Sequence, residues 1–354
     1  GLHVTDHLRV FFQPQDQRVF GEEASLVSDE NNLDVHQGYV EIRELGGEPL
    51  LLRIGRQELL YGDERLVSPL DWHNVGRTWD GAKIRYAPGR WWVESFWTVV
   101  KEGTGAEDDQ DFYGAYASCR AVEDHEFDLF ALGRRFNDNA FTAEDGSPGD
   151  WRDVTVGTRL KGKSLPLDYS FEGAYQTGRY SRDDLSAWAV AAVLGLTLEV
   201  PGRPRLAVEY TFATGDEDPN DGKRETFDPL FPFQHYFQGF ADIFAFKNGH
   251  DLAVYARVIP AENVSLHLDV HQFWLEERRD AWYAAAGTPI RRDPSGGAGD
   301  HVGYEVDLHA RVKIDDHLKF WGGWSHFFAG PYVRKTPGPD RDMDWLFVQM
   351  TVDF

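Results

Sequence analysis

Apolar residues recur at every second position along most of this chain, and helical periodicity is almost absent. Val302, Tyr304, Val306, Leu308, Ala310 and Val312 alternate with His301, Gly303, Glu305, Asp307, His309, Arg311 and Lys313. Leu252, Val254, Ala256 and Val258 do the same, as do Val264, Leu266, Leu268 and Val270. The chain ends on DMDWLFVQMTVDF, where Leu346, Val348, Met350, Val352 and Phe354 share one face. A period of two places neighbouring side chains on opposite faces of a sheet, so the chain reads as all-β. Its runs reach about ten residues, longer than the usual five or six.

The links between runs alternate strictly in length. Short polar ones fall at 5–6, 45–49, 87–90, 122–125, 161–166, 201–204, 260–263 and 315–316. Longer ones fall between them at 14–32, 59–76, 101–111, 137–150, 178–184, 215–249, 277–299 and 329–341. A soluble sandwich has no reason for this rhythm. An up-and-down antiparallel transmembrane barrel has one, because its turns are tight on the periplasmic side and its loops long outside. The links separate about sixteen strands, plus a stub at 1–4 that enters the first turn. A single-chain bacterial barrel has an even strand count, so a barrel of about 18 strands is expected, with its first strand upstream of Gly1. One barrel domain is expected over 1–354, with notable loops at 14–32, 59–76, 215–249 and 277–299.

Polarity decides between barrel and sandwich. In a membrane barrel the apolar face meets lipid and the charged face lines the lumen. The polar faces here carry charges of both signs, and Trp91, Trp92, Trp97, Trp151, Trp188, Trp274, Trp321, Trp324 and Trp345 fall near strand ends, as an interfacial girdle requires. No run approaches the roughly 20 apolar residues of a spanning helix. The net charge of -23 speaks against nucleic acid as a partner. The single cysteine, Cys119, rules out an internal disulfide and any cysteine-based metal cluster.

Strand parity assigns the lumen charges. Arg9, Arg43, Arg53, Lys83, Arg85, Arg120, Arg134, Arg159, Lys161, Arg257, Arg311 and Lys313 point inward, against Glu41, Glu94, Glu126, Asp128, Asp168, Glu172, Glu209, Asp251, Asp269, Glu305 and Asp307. The lumen thus reads as mixed. Its arginines either line an anion-selective pore or pair with the acids to hold strand register, and Arg53 and Arg85 are the leading selectivity candidates because they flank the loop at 59–76. The run Asp216, Asp218, Asn220, Asp221 alternates oxygen ligands as a loop calcium would need. It lacks the EF-hand pattern, since Asp221 stands at the sixth position and Phe227 at the twelfth. His267 and His271, with Asp269 between them, share a strand face and read as a lumen hydrogen-bond network. No other cofactor is expected, and no G-x-S-x-G, H-E-x-x-H or phosphate loop occurs.

Two stretches, GRQELLYGDERLVSPLDWHNVGRTWDGAKI (55–84) and TGDEDPNDGKRETFDPLFPFQHYFQGFADIFAFKNGHDL (214–252), together with HQGYVEIR (36–43), resemble the alginate-export family of outer-membrane barrels. The resemblance implies a bacterial outer-membrane location and a monomeric 18-stranded barrel whose hydrophilic lumen passes an anionic polysaccharide. It also marks Arg56, Asp63, Arg65, Arg77 and Asp80 as charges that anchor a constriction loop. The expected function is a porin-like channel passing hydrophilic solutes or such a polysaccharide by passive diffusion. Its partners would be outer-membrane lipid and lipopolysaccharide, a saccharide or other small solute, and periplasmic export proteins. A carbohydrate- or lipid-acting hydrolase and a plugged structural barrel are the alternatives.

Overall fold

The structure is a computed structural model that describes residues 1–16, 33–101 and 110–353. Its first strands are β1 (Leu2–His3), β2 (Leu8–Asp16), β3 (Leu33–Arg43), β4 (Leu50–Gln57), β5 (Trp79–Tyr86), β6 (Trp91–Lys101) and β7 (Gln110–Cys119). Long strands follow: β8 (His125–Thr142), β9 (Pro148–Ser164), β10 (Leu167–Tyr180), β11 (Asp183–Thr197) and β12 (Arg205–Ala213). The remainder are β13 (Lys223–Arg224), β14 (Gly249–Ala261), β15 (Val264–Trp274), β16 (Ala281–Tyr283), β17 (Pro289–Arg292), β18 (His301–Lys313), β19 (Leu318–Ala329) and β20 (Met343–Val352). A short helix, α1 (Pro331–Lys335), follows β19.

Wall strands that succeed one another in the chain pair antiparallel, from β1 to β12 and then through β14, β15, β18, β19 and β20. This is the up-and-down order that the alternating links predict. The stub β1, the two-residue β13 and the hairpin β16–β17 apart, sixteen strands make the wall among the described residues. Among the described residues β1 bonds only β2 and β20 only β19. The sheet is nonetheless rolled up. The loop 58–78, which leaves β4, is held by Lys161 of β9 and Glu209 of β12, and its Trp72 also meets Trp321 of β19 and Phe347 of β20 edge-on. One loop touches all four only if the wall curves around it.

The polarity is inverted. Leu308, Leu346 and Val348 point outward and are 54%, 73% and 77% exposed, whereas Glu41, Glu94, Asp128, Asp251 and Glu305 point inward with no accessible surface. No helix among the described residues is long and apolar enough to cross a membrane; the strands cross. The tryptophans divide between the faces. Trp91, Trp97, Trp188 and Trp324 are exposed on the outside, but Trp151, Trp321 and Trp345 turn inward onto other rings, so the girdle contains only part of the expected set.

The long-link end also differs from expectation. The links expected at 137–150 and 178–184 shrink to 143–147 and 181–182, because the ladder continues through pairs such as Tyr180↔Asp183. Residues 17–32 and 102–109 lie outside the described residues, and of the expected loop at 14–32 the first three residues belong to β2. The other three notable loops fold back over or into the lumen. With wall residues and α1 they build apolar clusters inside the wall, the two larger ones around Leu59, Val67, Phe112 and Phe227 and around Phe244, Phe273, Trp282 and Tyr332.

Leu308 lies midway along the outward row Tyr304–Val312. Leu308→Arg should cost about 2–4 kcal/mol of folding stability in liposomes, the penalty for a cation on the lipid face near the bilayer centre. Equilibrium unfolding measures it, and a cost near zero would place that face in water.

Candidate channel and its loop plug

The lumen wall of β3 to β6 carries a row of cations over two buried carboxylates. Glu41 accepts from Arg43 Nε at 2.6 Å and from Arg53 Nε at 2.9 Å. Glu94 accepts from Arg85 Nε at 2.8 Å and from the Tyr61 hydroxyl, and Lys83 Nζ stands 3.6 Å away. Both carboxylates are fully buried, whereas the side chains of Arg43, Arg85, Arg53 and Lys83 are 46%, 34%, 19% and 10% exposed. Four cations thus face the lumen over two hidden acids. Arg53 lies over Tyr39 and Arg85 over Trp92, each guanidinium carbon 4.2 Å from the ring centre, which fixes their orientation.

Two loops fill the lumen beside this row. Val67 and Phe231 form a parallel bridge between the loops 58–78 and 214–248; Ser68 N donates to Phe231 O and Phe231 N to Leu66 O, both at 2.9 Å. Arg77 clamps the bridge by donating to the carbonyls of Phe231 at 2.6 Å and Ser68 at 3.1 Å, and burial among these carbonyls lowers its pKa to about 10. The joined loops are pinned to the wall by ion pairs. Asp63 receives Lys161 Nζ at 2.6 Å and Ser170 Oγ at 2.8 Å, and Arg65 meets Glu209 at 2.9 Å while lying over Phe237. Asp228 takes Arg134 at 2.5 Å and Lys247 at 3.0 Å; although burial pushes its pKa up, these two cations hold it well below the usual carboxylate range. Gly239 (φ +84°) lets the chain pass against Glu305, which accepts from Ala241 N at 2.8 Å; a Cβ there would stand 2.6 Å from the carboxylate.

The inward residues therefore divide by role. Arg43, Arg53, Lys83 and Arg85 face the lumen, and Arg257 and Arg311 are half-buried in it. Arg134 and Arg159 are 2% and 3% exposed and spend their guanidinium groups on Asp153, Asp228, Asp128 and Asp63, so they anchor loops and wall rather than line open space. Glu305 holds loop amides, and Asp269 is buried against His309 Nε2 at 3.2 Å. Asp63, Arg65 and Arg77 secure the loop at 59–76, but Arg56 and Asp80 do not. They pair at 2.8 Å on the outward face of β4 and β5 beside Ile54 and Ile84, because their parity is opposite to that of Arg53 and Lys83.

The calcium candidate is not assembled. Asp216 is buried, its backbone N donating to Asp280, while Asp218 and Asn220 are exposed and Asp221 is paired to Lys223 at 2.8 Å. Among the described residues no group of three or more His, Cys, Asp or Glu side chains is placed to hold a metal. The histidines of β15 make hydrogen bonds: His271 to Asp251 at 2.8 Å and His267 to Ser265 at 3.0 Å, with His267 stacked on His309. Asp228, Lys247, Trp72 and Tyr236 were not singled out as site residues by parity, since they lie in loops. The signal for Asp228 and Tyr236 is compositional, an aromatic and proline-rich run (FDPLFPFQHYF) inside a long loop that water would not favour.

Two variants test the plug. Asp228→Ala strands Lys247 and leaves Arg134 only Asp153, a loss of about 3–5 kcal/mol for a broken buried pair. Faster protease cleavage in 214–248, with the barrel still folded, is the expected readout. Asp216 sits in the outer loops, where burial, then Asp280 and Glu144, push its pKa up to about 7 despite nearby Arg224 and Arg292. A raised folded-state value means that the neutral acid supports the packed loops at low pH and that this support fades as pH rises from about 4 to 7. Loop proteolysis should accordingly rise from about pH 4 to 7 and level off above, and Asp216→Asn should flatten the profile.

The chain matches the alginate export family over residues 1–348. No curated protein sequence matches it. Among solved structures it is similar to the outer membrane protein OprD of Pseudomonas aeruginosa (TM-score 0.57, 12% identity, 90% of this chain and 78% of that one). OccK5 (OpdH) of the same organism gives a TM-score of 0.58 at 11% identity, covering 91% and 82% of the two chains. OccK11 (OpdR), also from Pseudomonas aeruginosa, gives 0.57 at 12% identity, with 91% and 81% covered. At these identities the likeness speaks to the barrel fold alone. Rolled antiparallel wall, inverted polarity and family match agree: the chain belongs to the alginate-export family and is a β-barrel channel of the bacterial outer membrane, not an enzyme.

Proposed function

We propose that this channel passes hydrophilic solutes by diffusion with a preference for anions, saccharide acids among them, and that its two joined loops set the resting conductance. The observation that carries the reading is the row Arg43, Arg53, Lys83 and Arg85, whose partly exposed side chains cover the buried Glu41 and Glu94. In a narrow wet space with low-dielectric walls, a local excess of cations raises the concentration of anions and lowers that of cations. The passage of a uronate polymer is a narrower form of the same proposal. The sign of the row suits a chain of carboxylates, but a polymer also needs the loops 58–78 and 214–248 to part, since they fill the lumen beside the row. Small anionic solutes make a weaker demand and are the broader reading. The packed loops favour one further reading, a barrel closed at rest.

The test is reversal potential across a planar bilayer in a potassium chloride gradient. The wild type should prefer chloride. Removing Arg53 and Arg85 together leaves two cations over two acids, so the preference should vanish in Arg53→Ala/Arg85→Ala. An unchanged potential would discard the row as the selectivity element. Absence of current in the wild type, restored by Asp228→Ala, would identify a closed resting state.

A further inference from the structure

The outward face of the wall is not an even coat of long side chains. One row crosses five strands in register: Leu196 on β11, Leu206 on β12, Ala256 on β14, Leu268 on β15 and Leu308 on β18. Its four leucines are exposed, and the methyl of Ala256 cannot reach their height. The dent continues past Leu198, Pro204 and Val258 toward the link between β11 and β12. The result is a groove of about 440 Å³ on the lipid side of the seam between β12 and β14. A void in hydrocarbon leaves its lining without partner atoms and forfeits their dispersion energy. An acyl chain lying in the groove restores it.

The lower end of the groove carries the chemistry. Leu198 N donates to Pro204 O and Arg203 N to Val200 O, both at 2.9 Å, which closes residues 198–204 into a tight link. Tight links lie on the periplasmic side, so the groove runs from the level of Leu308 down through the leaflet that faces the periplasm. Ile259 N donates to Gly202 O at 2.7 Å, which fixes the link against the end of β14. Glu199 and Arg203 are exposed on it, and among the described residues neither side chain has an ion pair or a hydrogen bond. Arg203 is held at φ +40°, a left-handed conformation uncommon outside glycine. The acid of the neighbouring link, Glu262, borders a lumen cavity instead. One cation and one anion, unspent on each other, thus stand where the groove meets the membrane surface.

We propose that this groove binds an amine-bearing glycerophospholipid of the periplasmic leaflet, one tail lying over Ala256, its phosphate on Arg203 and its ammonium on Glu199. Lipid tails are as apolar as leucine, so greasiness alone selects no place on the wall. Shape and headgroup charge do. The guanidinium fork suits a phosphate, and the carboxylate accepts from the N–H groups of a primary ammonium, which a quaternary amine lacks. A headgroup with net negative charge would satisfy Arg203 and be repelled by Glu199. The two strands that share the groove, β12 and β14, are joined by the loop 214–248, so the lipid straddles the seam from which the plug leaves at the opposite end. The site is independent of what passes through the lumen.

Native mass spectrometry of the full chain released from detergent micelles tests the site. The probes are phosphatidylethanolamine, phosphatidylglycerol and phosphatidylcholine with matched tails, and purified lipopolysaccharide. The wild type should retain phosphatidylethanolamine at least about tenfold better than the other phospholipids, one lacking the ammonium and the other its N–H groups. Arg203→Gln should weaken retention by a similar factor, and Glu199→Gln should bring phosphatidylglycerol level with phosphatidylethanolamine. Ala256→Leu fills the groove with a side chain that the lipid face accepts and should also cost about tenfold. Ala192→Leu, outward on β11 but outside the groove, should change nothing. Retained heat-modifiable gel mobility will show that the variants are folded. Equal retention of the three phospholipids would mean a shell of unselected lipid and overturn the proposal. So would a preference for lipopolysaccharide, undiminished retention in Arg203→Gln or Ala256→Leu, or no lipid retained by the wild type.

Discussion

Hydrocarbon offers no hydrogen bonds, and the rest of this molecule follows from that. A backbone crossing it must satisfy its N–H and C=O groups within the protein, which a rolled antiparallel sheet does. One face of each strand then meets lipid, where Leu308, Leu346 and Val348 stand, and most charged side chains on the wall turn inward, the outward Arg56–Asp80 pair lying near the strand ends. A space crowded with ionised groups is tolerable only if each buried one has a partner. Glu41, Glu94 and Asp128 meet that demand with arginine, lysine and tyrosine from the next strands. Side-chain length settles the rest. Aspartate and glutamate are short and end near the wall, while arginine and lysine reach past them, so the wall of β3 to β6, with four such cations over two acids, presents cation tips to the lumen.

The same pairing rule governs the loops. A loop inside a lumen must satisfy its own backbone and still beat the entropy of staying there. The bridge between Val67 and Phe231 meets the first need, and the apolar cluster around Leu59 and Phe227 meets the second. Ion pairs from Asp63, Arg65 and Asp228 to the wall add position. Because those pairs are buried, breaking one costs more than a surface pair would, yet each is polar and can exchange for water once the loop lifts. Loops fixed in this way are firm but separable.

The wall was legible in the sequence and the lumen only partly so. Period-two alternation located about sixteen strands and their faces, because side-chain parity is a local property of the chain. It also separated Arg53 from Arg56, although the resemblance grouped Arg56 and Asp80 with the loop; parity was the better guide there, as the outward pair at 2.8 Å shows. What parity could not reveal was which inward charges meet water. Arg134 and Arg53 look alike in a strand pattern, and only the arrival of Asp228 from a loop some ninety residues away hides the first. Strand ends failed for a similar reason: Gly178, Asp183 and Asp184 read as a loop by composition, yet they continue a ladder.

Net charge is the sum over all of these environments, and for a barrel it is a poor guide to the pore. The chain carries -23, which on its face argues against an anion path. Many of its acids, however, lie in the outer loops, among them the exposed Glu217, Asp218 and Asp221, far along the chain from the cation row. Exposed charges separated by more than about 10 Å are largely screened at ordinary salt, whereas charges inside a narrow low-dielectric bore are not. A permeating ion therefore responds to the few groups within reach of the bore. On the wall of β3 to β6 those groups are guanidinium and ammonium tips, and the two carboxylates beside them, Glu41 and Glu94, lie underneath.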